Sequence, residues 1–485
     1  MKIRSVKFNV AMNFIYTVSS ILFPMITFPY VTRVLLAEGN GRIAFATSVI
    51  TYLTMIASLG IPTYGIRACA KIREDRHQLS KTVQELLLIN TATTVLSYGA
   101  FLILLFAVPQ FAEEKTLLSI MSINMVLNVI GVNWLYSALE QYAYITVRSI
   151  VFKILSIVLM FIFVKEPADY IIYGGITVFA TSASNVLNFI NIRKFVSLKP
   201  MPGEYDFRQH WKPIMIFFAS AAATSVYTNL DTILLGFLQN NTEVGYYNAA
   251  IKIKTILITL VTSLGTVLLP RLSNYVQKKN MTEFRRVVLL TVNFVILFAG
   301  AITVYFMIYA RESILFLSGT EYESAAIPMF LLMPTVLFVG LSNITGIQIL
   351  TPTGQERKVL ISIVWGAAAD ILLNAALCPF FGASGTALAG LAAELTVLAV
   401  QCWYLRDRIK AHIRDISLFK TAISLFTAAV CGILLKYFLH FSPFVMLCCS
   451  AVLFFGVYAA MLFVLKEPFV CGFMKNMLAK IRGRK

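Results

Sequence analysis

The sequence predicts an all-α integral membrane protein with about fourteen transmembrane helices, and three observations predict it. Of 485 residues, 58% are hydrophobic and only 13% charged, at a mean hydropathy of +0.78. A soluble domain carries about 25% charged and about 45–50% apolar residues. The apolar residues fall in stretches of roughly 20, enough to cross a hydrocarbon core of about 30 Å at 1.5 Å per residue. Backbone amides in lipid must be satisfied within the segment, so these stretches are helices. The alternating segments of about 10 residues that mark a transmembrane barrel are absent.

The first six spans are read at about residues 8–34, 43–65, 83–108, 116–138, 146–164 and 170–191. Six more follow at about 213–238, 246–269, 287–310, 326–350, 358–380 and 384–404, then two at about 417–439 and 443–465. The opening apolar run, from about Phe8 to Leu36, exceeds the 7–15-residue core of a signal peptide and has no small-residue cleavage site, so it reads as a span.

The net charge of +18 does not indicate nucleic acid, because the basic residues are spread through short loops and form no aromatic-interleaved patch. They segregate instead. With the N-terminus inside and loops assigned alternately, 33 basic residues fall on the inner side. Six fall outside: Arg33, Arg42, Lys115, Lys165, Arg311 and Lys436. Lys252 and Lys254 lie within a span. That bias orients helical membrane proteins, and one span more or fewer would scramble it. Both termini are therefore expected in the cytoplasm. Seven cysteines form no CxxC and there are four histidines, so no metal site or cofactor is expected.

The chain also repeats. A shift of 204 residues lays Tyr16 on Ser220, Ser20 on Thr224, Phe23 on Tyr227, Thr27 on Asp231 and Gly41 on Gly245. With one inserted residue, Ser58-Leu59-Gly60 meets Ser263-Leu264-Gly265. Six spans per half is even, so the repeat is parallel, about an axis along the membrane normal. The expected organisation is a lobe at 1–210, a second at 211–410, and two additional spans with a basic cytoplasmic tail at 411–485.

A parallel duplication places a substrate cavity between its lobes near the midplane. Asn9, Asn13, Tyr16 and Ser20 share one face of the first span, and Ser220, Thr224, Tyr227 and Asp231 one face of the seventh. Because both halves carry the stripe, a cavity lining is favoured there. In the sixth span Thr177, Thr181, Ser184 and Asn188 read better as hydrogen-bonding glue between helices. Pro24 and Pro29 release backbone carbonyls in the first span, which suits either a moving gate helix or an ordinary kink.

A charge in the bilayer costs at least about 2.5–3.5 kcal/mol, so ionisable residues within spans face protein or water. Lys252 and Lys254 are two residues apart and point to nearly opposite faces, so one at most faces a lumen squarely. Arg148 and Lys153 sit in the inner third of the fifth span, Arg148 as topology anchor or ligand and Lys153 deeper. Arg33 reads equally as a cavity-mouth residue or a loop residue. Asp231 is placed to balance a lysine of the eighth span, while Asp370 and Glu394 either bind a coupling cation, Na+ or H+, or pair structurally. Gly39-Asn40-Gly41 has no strand before it and is no dinucleotide fingerprint. No nucleophile–base pair is present, so no enzyme activity is expected.

The segment 29–80, PYVTRVLLAEGNGRIAFATSVITYLTMIASLGIPTYGIRACAKIREDRHQLS, resembles the start of Wzx-type oligosaccharide flippases of the polysaccharide biosynthesis group. So do LEQYAYITVRSIVFKI with FVKEPADYIIY (139–173), and LDTILLGFL with VGYYNAAIKI (230–253). Leu36 stands where such sequences commonly have glycine. The resemblance, to the superfamily of MATE exporters and lipid II flippases, implies two six-helix lobes around a V-shaped cavity with alternating access. It implies a polyprenyl-diphosphate-linked oligosaccharide cargo moved from the inner to the outer leaflet of a bacterial cytoplasmic membrane. It further implies cationic handling of that cargo, for which Arg148, Lys252 and Lys254 are placed. Membrane lipids and polysaccharide polymerase machinery are the implied partners, with the protein working as a monomer. A MATE-like multidrug or cation antiporter is the alternative. It needs acids for its cargo and coupling ion, and the first span has none. A polymerase would need a larger outer loop than the longest here, about 311–325.

Overall fold

A computed structural model describes residues 6–201, 203–407, 417–439 and 441–471. Helix dominates, and among the described residues no strand occurs. Eleven helical stretches are long and apolar enough to cross a membrane. Two of these are pairs of spans running through a sharp bend. Val6–Ser58 turns at Leu36 and Glu356–Tyr404 at Gly382. The seventh span, Arg208–Leu238, completes the fourteen that charge segregation requires.

The spans are thus 6–35, 37–58, Arg76–Ala107, Lys115–Ala138, Tyr142–Phe163, Pro167–Lys194 and Arg208–Leu238 in the first half. Asn241–Gln277, Met281–Ile308, Thr320–Leu350, 356–381 and 383–404 follow, then Leu418–Phe438 and Pro443–Val464. A helix, Ile61–Lys71, extends the second span after a left-handed turn at Gly60.

The bend falls at Leu36, the position where the resemblance leads one to expect glycine. Its backbone sits at φ 58, ψ −175, a region that costs a residue with a side chain about 1–3 kcal/mol. Leu36→Gly is therefore expected to stabilise the protein by about 1 kcal/mol after losing the leucine's partial burial. A thermal melt in detergent with an unchanged or lower midpoint would contradict this. The helix, by contrast, runs on through Pro24 and Pro29.

The chain divides into two compact units, Met1–Gly245 and Tyr246–Lys485. Lipid gives no hydrophobic drive for one helix to leave it for another, so packing and hydrogen bonds carry helix association. In the first unit, hydroxyls reach neighbouring carbonyls: Thr93 Oγ1 donates to Ala57 O at 2.5 Å and Ser97 Oγ to Leu53 O at 2.9 Å. Thr146 Oγ1 donates to Met12 O at 2.9 Å and Tyr52 OH to Ser225 O at 3.1 Å. Gly41 and Gly245 permit the closest approach. A Cβ on Gly41 would lie 1.7 Å from Asn241 O, and one on Gly245 would lie 2.0 Å from Ala37 O. The 204-residue shift carries Ala37 to Asn241 and Gly41 to Gly245, so the duplicated turns meet reciprocally.

Charge seals both ends of this unit. Arg42 reaches Glu38 at 2.7 Å, Glu114 at 2.9 Å and Tyr170 OH at 3.1 Å. Burial lifts the Glu114 carboxyl above the usual carboxylate range, and Arg42 pulls against that shift. At the other end, buried Glu85 pairs with buried His210 at 2.8 Å, and His210 Nδ1 meets Tyr64 OH at 2.8 Å. The start of the seventh span is thereby fixed to the third.

In the second unit, the last two spans pack on the ninth through tyrosines. Tyr305 OH donates to Leu447 O at 2.8 Å, Tyr309 OH to Gly432 O at 2.7 Å and Tyr458 OH to Leu297 O at 3.0 Å. Gln401 joins the tenth, eleventh and twelfth spans, accepting from Thr345 Oγ1 at 2.5 Å and donating to Ser362 Oγ at 2.9 Å.

Candidate functional site

The fifth span starts at Tyr142, four residues before the sequence-predicted start, which moves Lys153 from the inner third to the middle of the helix. It lies about 16 Å from the first residue at 1.5 Å per residue. Its ammonium donates to Ser20 Oγ at 2.8 Å and Ser19 Oγ at 3.3 Å, and sits 5.2 Å above the centroid of the Tyr16 ring. Both serine hydroxyls give their own protons to Tyr16 O, at 2.7 Å from Ser19 and 3.0 Å from Ser20. Their lone pairs are thus left facing Lys153.

Nothing in that cluster is negative. Among the described residues no carboxylate pairs with Lys153, and its ammonium is half-buried. An ammonium has three donors, and the serines take two. A mid-span cation held only by hydroxyls and a ring face is an anion site in waiting.

Five residues away, Arg148 is used differently. It is 7% exposed, donating from NH1 to Ser184 O at 3.1 Å and from NH2 to Asn133 Oδ1 at 2.9 Å, with Tyr144 5.7 Å beneath. Asn133 also accepts from Asn188 Nδ2 at 2.9 Å and donates to Asn185 Oδ1 at 3.1 Å. Asn188 Nδ2 further meets Gly131 O. This network joins the fourth, fifth and sixth spans and absorbs the lower half of the sixth-span stripe. Higher up, Thr177 and Thr181 bond back to their own helix.

Tyr16 and Ser20 of the first-span stripe therefore meet Lys153, whereas Asn13 is exposed and Asn9 donates to Glu140 Oε2 at 3.2 Å. Glu140 also holds Arg73 at 2.7 Å. Arg33 is exposed, with NH1 donating to Pro29 O at 2.6 Å. The side chains of Ser220, Thr224 and Tyr227 lie outside the described residues, and Asp231 is partly buried. In the second unit Lys252 and Lys254 are both partly buried within the eighth span. Asp370 is buried and accepts from Asn374 Nδ2 at 3.2 Å, while Glu394 is partly buried.

Sequence reasoning missed Ser19, which lies one position off the stripe, and the Asn133–Asn185–Asn188 partners of Arg148. It also missed Glu85 and His210. Their pairing joins residues 125 apart in the chain, beyond any helical periodicity.

Among the described residues, fourteen helical spans, two consecutive pairs of them joined at a sharp bend, and a mid-span cation with no carboxylate partner define a multi-pass helical membrane protein. Its fold is that of a lipid II flippase, MurJ, in an inward closed conformation: TM-score 0.73 at 15% identity, over 95% of this chain and all of that one. An inward-facing MATE-family multidrug resistance transporter superposes with a TM-score of 0.62 at 12% identity, over 81% of this chain and 99% of that one. The family model described as polysaccharide biosynthesis protein matches residues 6–276. The chain belongs to that family. Among its relatives are putative O-antigen transporters of Escherichia coli (strain K12), 24% identical over 83% of this chain and 98% of the relative, and of Shigella dysenteriae, 26% identical over 81% and 98%. A probable flippase of Haloferax volcanii, AglR, is 27% identical over 34% of this chain and 35% of its own.

Proposed function

We propose that the protein is a flippase for polyprenyl-diphosphate-linked oligosaccharides, moving them from the cytoplasmic to the outer leaflet for cell-surface polysaccharide synthesis. The observation that carries this reading is the mid-span Lys153 ammonium with no carboxylate partner. A diphosphate supplies the missing charge, because charge-assisted hydrogen bonds to phosphate oxygens are short and strong. Relatives named as O-antigen transporters and a fold shared with a lipid II flippase support the same cargo class. The protein moves its cargo and does not convert it chemically.

In this reading the lobes 1–210 and 211–410 alternate access, with 411–485 outside the repeat. Both termini are cytoplasmic, following the basic-residue bias. Lys153, Tyr16 and Asn13 lie on the cargo's path, with Arg148 holding the spans that present Lys153. Arg33, Tyr227, Lys252 and Lys254 are further contacts, and Asp231, Asp370 and Glu394 balance charge or take Na+ or H+. Pro24 and Pro29 leave backbone carbonyls free in the first span, which serves as a gate helix.

Deleting the gene is expected to accumulate diphosphate-linked oligosaccharide lipid in the cytoplasmic leaflet and to stop export of the polymer. Unchanged glycolipid and polymer in the deletion strain would overturn the reading. Ethidium efflux by the purified protein in liposomes would favour a multidrug antiporter.

A further inference from the structure

The first unit holds a second polar site that the cationic cluster does not use. Between the second, fourth and seventh spans lies a cavity of about 350 Å³, at the low end of the 300–1,000 Å³ range of small-ligand pockets. Thr51, Thr54, Ser58, Thr63 and Asn124 are its polar lining residues. Among the described residues no charged side chain lines it. Thr63 is exposed at its mouth and Thr51 is half-buried.

The lining residues have mixed hydrogen-bonding capacity. Thr51 Oγ1 donates to Thr47 O at 2.7 Å, which leaves its lone pairs to accept. Asn124 Oδ1 accepts from Ser182 Oγ, so its amide N–H groups remain to donate. Thr54 Oγ1 is fully shielded and has no partner. An unpaired hydroxyl at membrane depth is costly. Met55 and Pro62 add C–H surface. Gly60 forms part of the wall, because its lack of a Cβ lets the seventh span's backbone come close: a Cβ there would lie 2.5 Å from Phe218 N.

A neutral pocket offers an anion donors but no opposite charge, and an isoprenoid chain would bury its hydroxyls unpaired. A ring edged with hydroxyls that both donate and accept, and with C–H faces, fits both halves of the lining. We propose that this cavity is a sugar subsite that takes one neutral hexopyranose residue of the cargo, separately from the diphosphate. The inference rests on the flippase reading and names the part of the cargo this wall recognises. Sites built to hydrogen-bond a hydroxyl reject analogues lacking it, because their own groups are then left unpaired.

The test measures binding to the full-length protein in nanodiscs. One probe is a C55 polyprenyl diphosphate; the others are the same lipid carrying one glucose, galactose or N-acetylglucosamine. The native protein is expected to bind at least one glycosylated probe about tenfold more tightly than the bare lipid. In Thr51→Val/Thr54→Val, which removes hydroxyls and keeps shape, that preference is expected to vanish while bare-lipid affinity stays unchanged. Thr63→Val, at the exposed mouth, is expected to reduce the preference about threefold and serves if the double variant does not fold. An undiminished preference in the variants, or equal binding of all probes by the native protein, overturns the sugar subsite alone. Binding of no probe overturns the flippase reading and the subsite with it.

Discussion

Gly41→Ala and Gly245→Ala are each expected to abolish folded protein in the membrane. A Cβ on Gly41 would sit 1.7 Å from Asn241 O, 2.7 Å from Asn241 C and 2.8 Å from Gly245 N. One on Gly245 would sit 2.0 Å from Ala37 O and 3.1 Å from Ala37 Cα. Every one of these neighbours is backbone, so no rotamer change relieves the clash. Overpacking a core with side chains free to shift costs about 1–3 kcal/mol. Here two helix starts must separate, and the expected cost exceeds about 3 kcal/mol, a large part of the stability of a typical domain. Gly99→Ala is the control. Nothing lies within 4 Å of its Cβ, and alanine is the better helix former by about 0.5–1 kcal/mol. Fluorescence size-exclusion of tagged variants reads the contrast. A monodisperse Gly41→Ala peak at native abundance would show that the two turns do not meet this closely.

The fold was legible because lipid imposes few rules. Hydropathy sets the helices and charge bias counts them, so fourteen spans could be read without a structure. The bends were harder to place. Pro24 and Pro29 are the obvious breakers, yet the turn falls at Leu36, a residue with poor access to that conformation. The spans read at 8–34 and 43–65 bracket the turn, but no residue between them singles out Leu36. The site was legible in part. A stripe at helical spacing shows which face of the first span is polar, but not that Lys153, 133 residues later, lies on Ser20. Arg148 shows the limit most clearly. From sequence it reads as anchor or ligand, whereas in the structure it is a buried tie to Asn133 and Ser184. Side-chain networks that join distant helices leave no periodic trace in any one of them.

Lys153→Met is expected to abolish transport while the protein inserts and folds at least as well as before. The two effects have opposite signs for a physical reason. A lysine at the centre of a span costs about 2.5–3.5 kcal/mol on insertion scales, and among the described residues it is compensated by two serine hydroxyls and the Tyr16 ring. Removing it frees hydroxyls that are already bonded to Tyr16 O, so the packing loses little. Had Lys153 a structural purpose, the methionine variant would be less stable and its transport defect would follow its abundance. If it binds an anion, stability holds or rises and transport falls by more than tenfold. Lys153→Arg retains the charge but replaces a point donor by a planar fork, and is expected to keep partial transport. The measurement is polymer export in a deletion strain, normalised to membrane-inserted protein, with thermal midpoints of the purified variants. Full export by Lys153→Met would remove Lys153 from the cargo's path. A lowered midpoint with proportionate loss would make it a structural residue.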